Sequence, residues 1–203
     1  MPRYMVTHSL LSSWLYAMRD NPYADATTER DPFEDFLRAL RREPSETTEA
    51  MRNGIEFEDL VTDIINGCGD RSHKWWDAAH QIAQELKGAQ LQFKASRDLI
   101  VDGIEVLLYG RLDALKAGMI SDIKFSKGYE RGKYIDSTQH PAYLYIVPEA
   151  YAFQYIVSNG NEVWHELYWR DEAPDIRVVI HDFFQWLYAN GLMGEYMAHW
   201  QAA

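Results

Sequence analysis

The sequence predicts an α/β fold: a central mixed β-sheet flanked by helices, with a helical N-terminal third and further helices at the C-terminus. Three observations carry that prediction. Apolar residues recur at three- and four-residue spacing up to Lys87. Strand-like alternation, punctuated by turn dipeptides, takes over from Leu91 to Phe125. Helical spacing then returns twice, at Thr138 to Val147 and after Pro174, on either side of a second strand pair. Helices interleaved with strands in this way call for a sheet covered on both faces. A chain of 203 residues is expected to form one domain over 1–203.

The elements follow in order. Leu10, Leu11, Trp14, Leu15 and Met18 predict a first helix behind the caps Thr7 and Ser9. Asp31-Pro32-Phe33-Glu34 opens a second. Asp31 caps, Pro32 fits the first helical position because its missing N–H would be unpaired there anyway, and Glu34 completes a capping box. Phe33, Phe36, Leu37 and Leu40 form its inner face. A third helix runs from Thr48 to Asn66 and stops at Gly67, with Met51, Ile55, Leu60, Val61, Ile64 and Ile65 inward. A fourth spans Ser72 to Lys87 and ends at Gly88, with Trp75, Trp76, Ala79, Ile82, Ala83 and Leu86 inward.

Strands begin with the alternating Leu91–Ala95. Leu99–Val101 and Ile104–Tyr109 flank Asp102-Gly103, a dipeptide suited to the positive φ angles of a tight hairpin. Arg111–Leu115 continues the second strand, Ala117-Gly118 turns it, and Met119–Phe125 returns. Ser126–Ser137 is polar and reads as a loop. Thr138–Val147 is a short helix that tolerates Pro141 only in its first turn. Tyr151–Val157 and Val163–Trp169 flank a further turn at Asn159-Gly160. Pro174 opens a helix packed by Val178, Val179, Phe183, Phe184, Trp186 and Leu187. Gly191 breaks it, and a last helix carries Tyr196, Met197 and Trp200.

A hydrophobic content of 47% suits a globular chain. No apolar run approaches the roughly 20 residues that span a bilayer, and the first residues lack a signal-peptide core. A cytoplasmic protein without a membrane partner is therefore expected. Cys68 is the one cysteine, which excludes a disulfide within the chain and an iron–sulfur cluster or four-cysteine zinc site held by one chain. The net charge of −11 argues against a nucleic-acid partner. The local pattern argues the other way. Arg111, Lys116, Lys124, Lys127, Arg131 and Lys133 crowd one stretch, opposed only by Asp113, Asp122 and Glu130.

Four motifs follow one another in this frame: Gly54-Ile55-Glu56-Phe57-Glu58, Gly110-Arg111-Leu112-Asp113, Asp122-Ile123-Lys124 and Gln139-His140-Pro141-Ala142-Tyr143. With 31 acidic residues and seven lysines, about one carboxylate two places before a lysine is expected by chance. Glu85-Leu86-Lys87 is a second such match, on helix surface. Asp122-Ile123-Lys124 differs in context, lying on a strand nine residues after Asp113 with a tight turn between. Residues two apart on a strand share a face, so Asp122 and Lys124 point together, and the hairpin sets Asp113 opposite Asp122. Two facing carboxylates repel unless a cation compensates, and a lysine or a divalent ion would do so. Glu58, from its helix, is a third oxygen donor. Hard oxygen ligands suit Mg²⁺ or Mn²⁺, and a lysine beside such an ion suits phosphodiester hydrolysis. Taken singly, each of these acids reads equally as a solvated surface residue, and Gln139 and Tyr143 as packing or capping residues.

The joint order resembles the PD-(D/E)XK nuclease superfamily, in its RecB-like and lambda-exonuclease-like branch. Gly54 with Glu58, Gly110 with Asp113, Asp122 with Lys124, and Gln139 with Tyr143 match that branch's motifs in turn. Ser9 to Asp20 is similar to the opening helix of some members. The resemblance implies a restriction-endonuclease-like core and a Mg²⁺- or Mn²⁺-dependent deoxyribonuclease, an exonuclease of recombination or repair, phage-related. DNA is the implied partner, with a homo-oligomer or a recombination protein as further associates. It implies Asp113, Asp122, the Ile123 carbonyl and Glu58 as metal ligands and Lys124 as catalytic. Gln139 and Tyr143 would orient substrate or the lysine. Arg111, Lys127, Arg131 and Lys133 surround the same opening and suit phosphates. Two departures stand out: the branch often has histidine where Glu58 stands, and glutamate is commoner than Asp122 before the lysine. The alternatives are a catalytically inactive nucleic-acid-binding module and a protein-interaction domain, which the acidic charge and many aromatics suit.

Overall fold

A computed structural model describes residues 2–18 and 31–202. In chain order the elements are β1 (Arg3–Thr7), α1 (His8–Met18), α2 (Pro32–Leu40), α3 (Glu49–Ile65), α4 (Trp76–Glu85), β2 (Gln90–Val101), β3 (Ile104–Lys116), β4 (Met119–Phe125), α5 (Gln139–Ile146), β5 (Ala152–Ser158), β6 (Val163–Trp169), α6 (Ile176–Ala189) and α7 (Met193–His199). The α/β class and the helix-flanked mixed sheet are as the sequence predicts. Arg19 and Asp20, at the end of the expected first helix, lie outside the described residues.

Local chemistry explains most boundaries. Thr7 accepts the Leu10 N–H at 3.2 Å and starts α1. Asp31 accepts from Phe33 N ahead of Pro32, Thr48 from Met51 N, and Asp175 from Arg177 N. Asp102-Gly103 and Ala117-Gly118 all have φ between 50° and 79°, the backbone that a two-residue hairpin requires. Pro141 falls in the first turn of α5, where no carbonyl waits for its missing N–H.

The sheet has six strands, and β3 is its axis. Antiparallel β2 pairs along β3 from Gln90↔Leu115 to Val101↔Ile104. Two strands share β3's other side. Parallel β1 covers Glu105 to Tyr109, and antiparallel β4 covers Ala114 to Lys116. Beyond β4 come parallel β5 and antiparallel β6. Parallel neighbours need a crossover, and α5 lies in the one from β4 to β5. β1 has no sequence-level prediction: it is short, and its partner lies about a hundred residues on. Its outer edge is closed by the C-terminus, through Met5 N to Trp200 O and Ala202 N to Arg3 O, both 2.7 Å.

Two cores cover the sheet. The main one joins α1, α2, α5, α6 and α7 to β1, β3 and β5. The second joins α3 and α4 to the sheet through Phe57, Leu60, Val61, Ile82, Ala114 and Ile156. Here the expected inner stripe of α3 needs correction. Met51 and Ile55 are 50% and 55% exposed, whereas Phe57 is fully buried. The first two turns of α3 carry no buried residue and stand clear of the core. Val178, expected to pack α6, is also exposed, and Trp75 and Trp76 are half-buried. No helix among the described residues is long and apolar enough to cross a membrane.

Phe57 packs against Trp75 and Phe125 at ring-centroid distances of 6.0 and 5.0 Å. Phe57→Ala is expected to cost about 3–5 kcal/mol, and Met51→Ala to stay within about 0.5 kcal/mol of wild type. Urea denaturation followed by circular dichroism measures both. Equal losses would mean that the helix is rotated from the position described.

Candidate active site

The cleft arises from a gap in β3's pairing. On β3, pairing with β1 stops at Tyr109 and pairing with β4 starts at Ala114, so residues 110–113 take no strand partner on that side. At the lower end of the gap, Asp113 Oδ2 accepts the Ile123 N–H at 2.9 Å. A side chain thus takes the place of a ladder acceptor where the two strands part. The space opened is a cleft of about 370 Å³ lined by Thr7, His8, Ser9, Glu58, Tyr109, Gly110, Arg111, Asp113, Asp122, Ile123, Lys124, Gln139 and Tyr143.

Asp122 is 3% exposed. One of its oxygens accepts from the Gln139 side-chain amide. The other, also buried, pairs with Lys124 Nζ at 2.7 Å. Burial pushes the Asp113 carboxyl well above the usual carboxylate range, and the charges of Asp122 and Glu58 push it further. Burial likewise raises Glu58, against the pull of a 2.5 Å hydrogen bond from Gln92 Nε2. Lys124 is the counterpart. Burial disfavours its ammonium, but Asp122, Asp113 and Glu58 outweigh burial and hold its pKa above the usual lysine value. The cleft therefore keeps a cation among three carboxyl groups, of which Asp113 and Glu58 are held above the usual carboxylate range.

The α5 motif is explained by packing on the gap. A Cβ on Gly110 would lie 2.3 Å from Tyr143 Cε1, so only glycine lets that ring cross β3. Tyr143 then donates its hydroxyl to Arg111 O at 3.0 Å, fixing the strand beside the cleft. Ala142 and Ile146 are buried behind it, as the helical spacing requires. Gly54 has no comparable neighbour; nothing lies within 4 Å of a Cβ placed there.

Glu58, Arg111, Asp113, Asp122, Ile123, Lys124, Gln139 and Tyr143 are thus brought to one cleft. Lys127, Arg131 and Lys133 are not among its lining residues. They sit on the adjacent loop, where Lys133 Nζ donates to Ser126 Oγ at 2.8 Å and to Gly128 O at 3.3 Å. Sequence reasoning missed Thr7, His8, Ser9 and Tyr109 in the lining and Gln92 beside it. His8 lies edge-on to Tyr143 at 5.2 Å, and burial, then Lys124, lowers its pKa to about 3, so it is a neutral imidazole. Gln92 holds Glu58. Neither carries a signal without β1 and the β2–β3 register in hand.

The loop has its own anchor. Glu166 on β6, 7% exposed, accepts from Tyr129 Oη at 2.7 Å, from Gly132 N and Tyr134 N at 3.2 Å, and from Tyr168 Oη. Burial alone would raise its pKa, but these donors together hold it below the usual range.

A comparison with protein-family models finds no match, and a comparison with curated proteins finds none either. Among solved structures the chain is similar to SSO0001. That crystal structure matches with a TM-score of 0.55 over 93% of this chain and 78% of that one, at 11% identity. At that identity the likeness concerns the fold alone.

Glu166→Gln is expected to loosen the loop. Charge-assisted hydrogen bonds contribute roughly 1.5–3 kcal/mol each, so losing one makes local opening at least about tenfold more frequent. Limited proteolysis with mass-spectrometric mapping should show new cleavage confined to residues 126–137. A digestion pattern equal to wild type would mean that Glu166 does not hold the loop.

Proposed function

We propose that the protein is a Mg²⁺- or Mn²⁺-dependent DNA nuclease on a restriction-endonuclease-like core, of the RecB-like and lambda-exonuclease-like kind within the PD-(D/E)XK superfamily. One observation carries the reading. Asp113, Asp122 and Lys124, with Glu58 from the opposite layer, line one cleft in which three carboxyl groups share a single ammonium. Among the described residues no three Asp, Glu, His or Cys side chains converge as a ready-made cage. Mg²⁺ does not ask for one: it takes one or two carboxylates and keeps several waters. Asp113, Asp122 and the Ile123 carbonyl would hold it, with Glu58 completing the site. The donor set fits, being all oxygen, and a divalent ion would offset both the burial and the carboxylate repulsion that raise the Asp113 pKa. Such an ion, when bound, supplies a water of lowered pKa and a Lewis acid for phosphate.

The chain's own groups supply the rest. Lys124, kept protonated by its neighbours, donates charge and hydrogen bonds to a phosphate that gains negative charge during attack. Gln139 fixes the Asp122 carboxylate by its amide, so that the remaining oxygen keeps its direction. Tyr143 holds the Arg111 main chain at the rim, where the exposed guanidinium suits a flanking phosphate. The exonuclease role in recombination or repair rests on the motif resemblance. A non-cleaving nucleic-acid module or a protein-interaction domain would leave the gathering of three carboxyl groups around Lys124 unexplained.

The test is cleavage of end-labelled linear and circular DNA with and without Mg²⁺ or Mn²⁺. Lys124→Ala should reduce cleavage about 10²-fold or more with metal binding largely kept, while Lys87→Ala matches wild type. Asp113→Asn should weaken Mn²⁺ binding strongly in isothermal titration. Normal cleavage by Lys124→Ala would remove the assignment.

Substrate binding gives a second test. Neutralising Lys127, Arg131 and Lys133 together should weaken DNA binding in Ca²⁺ and reduce its salt dependence by up to about three phosphate contacts' worth of slope. Fluorescence anisotropy across a salt series reads this directly. An unchanged slope would move the DNA path away from the loop.

A further inference from the structure

Four non-glycine residues among those described have left-handed backbone: Arg42, Gln92, Asp102 and Ala117. Asp102 and Ala117 are turn residues beside glycine, and Arg42 follows the end of α2. Gln92 alone lies inside a strand, at φ 50°. Leu91↔Ala114 and Phe93↔Leu112 place it across from Asp113, the one position where the β2–β3 ladder is interrupted.

The interruption coincides with a change of face. On β3, Val106, Leu108 and Leu112 point into the main core at every second or fourth residue. Ala114 should continue that series but lies in the second core, while Leu115 packs on the main one. On β2 the same slip separates Leu91, in the second core, from Phe93 and Ala95, on the main one. Strict alternation would put Asp113 on the face opposite Leu112. The slip carries it instead to the side of Leu115, whose partner Ile120 shares strand parity with Asp122 and Lys124. The left-handed residue therefore sits where the sheet reverses its faces to bring the carboxylates together.

The side chain of Gln92 is committed as well. Its Nε2 donates to Glu58 Oε1 at 2.5 Å, and the Gln92 amide oxygen is buried with no hydrogen-bond partner. We infer that Gln92 is a positioning residue of the nuclease site: its backbone turns Asp113 into the cleft, and its amide holds the Glu58 carboxylate toward the Asp113–Asp122 pair. A strained conformation with an unsatisfied carbonyl gives the fold nothing by itself. Such features persist where a site requires them, and partners that orient ligands set metal affinity. The inference rests on the nuclease reading.

The experiment compares wild type, Gln92→Gly, Gln92→Met and Ala117→Gly in two measurements, thermal melting without metal and Mn²⁺ affinity by isothermal titration. Gln92→Gly keeps the left-handed backbone and removes the amide. Gln92→Met keeps the length and removes the amide. Ala117→Gly relaxes an equally left-handed backbone in a turn outside the cleft lining. The expected result is Gln92→Gly melting no lower than wild type with Mn²⁺ affinity weakened about 10–100-fold. Gln92→Met should weaken by the same order, and Ala117→Gly should bind as wild type does. DNA cleavage by Gln92→Gly should lose kcat with KM unchanged. Wild-type affinity in both Gln92 variants would overturn the inference while leaving the nuclease reading in place. So would a melting temperature of Gln92→Gly several degrees below wild type. Failure of wild type itself to bind Mn²⁺ and cleave DNA would overturn both.

Discussion

Along one side of β3, two strands of opposite direction are seated end to end, and they do not meet. Backbone groups left between them must find partners or water. Asp113 settles part of that need by accepting the Ile123 N–H. Tyr143 settles another part by donating to the Arg111 carbonyl. Both residues belong to the motifs that suggest chemistry, so the same contacts that stop the sheet from closing also hold the cleft open. Closing the gap with ordinary ladder bonds would give a better sheet and no site. Gly110 shows how tightly this is drawn, since a single methyl there would collide with the Tyr143 ring.

Electrostatics follows from that geometry. Carboxyl groups from α3, β3 and β4 share a poorly solvated space with one ammonium, Lys124, and a histidine kept neutral. In a chain of net charge −11, bulk attraction will not bring a polyanion to this surface. On the proposed nuclease reading, recognition would be local, carried by Arg111 at the rim and by the loop of Lys127, Arg131 and Lys133. The loop is no free tether: three of its donors, Tyr129 Oη, Gly132 N and Tyr134 N, converge on Glu166, and Lys133 closes the loop on itself. A preordered loop loses little entropy on binding, which partly offsets the unfavourable net charge.

How much of this the sequence discloses depends on range. The hairpin at Asp102-Gly103 and the caps at Asp31 and Thr48 involve neighbours in the chain, and residue type decides them. The convergence of Glu58, Asp113, Asp122, Lys124, Gln139 and Tyr143 on one cleft is legible because the hairpin fixes two of them and motif order suggests the rest. β1 is not legible, since five ordinary residues become a strand only when β3 offers an edge. The α3 stripe misleads because periodicity marks which residues could be inward, not how far the sheet extends beneath them. Gln92 is hidden for a deeper reason: nothing in Leu91-Gln92-Phe93 departs from alternation, and the reversal of faces exists only once β2 and β3 are paired.

The C-terminus supplies the last constraint. β1 delivers Thr7, His8 and Ser9 to the cleft, yet it is an edge strand of five residues with one strand neighbour. Its free edge is taken by the main chain of residues 200–202. Trp200 is in turn fixed by donating its indole N–H to Leu40 O at 2.8 Å, beneath the Arg42 guanidinium at 4.1 Å. Tyr196 donates to Met5 O at 3.0 Å. The end of α2, the end of the chain and the start of the chain thus clamp one another. An exposed edge would invite pairing with other chains; here it is closed by residues nearly two hundred positions away. The position of His8 beside Tyr143 depends on that closure, so the N-terminal wall of the cleft is set by packing on the far side of the molecule from α3.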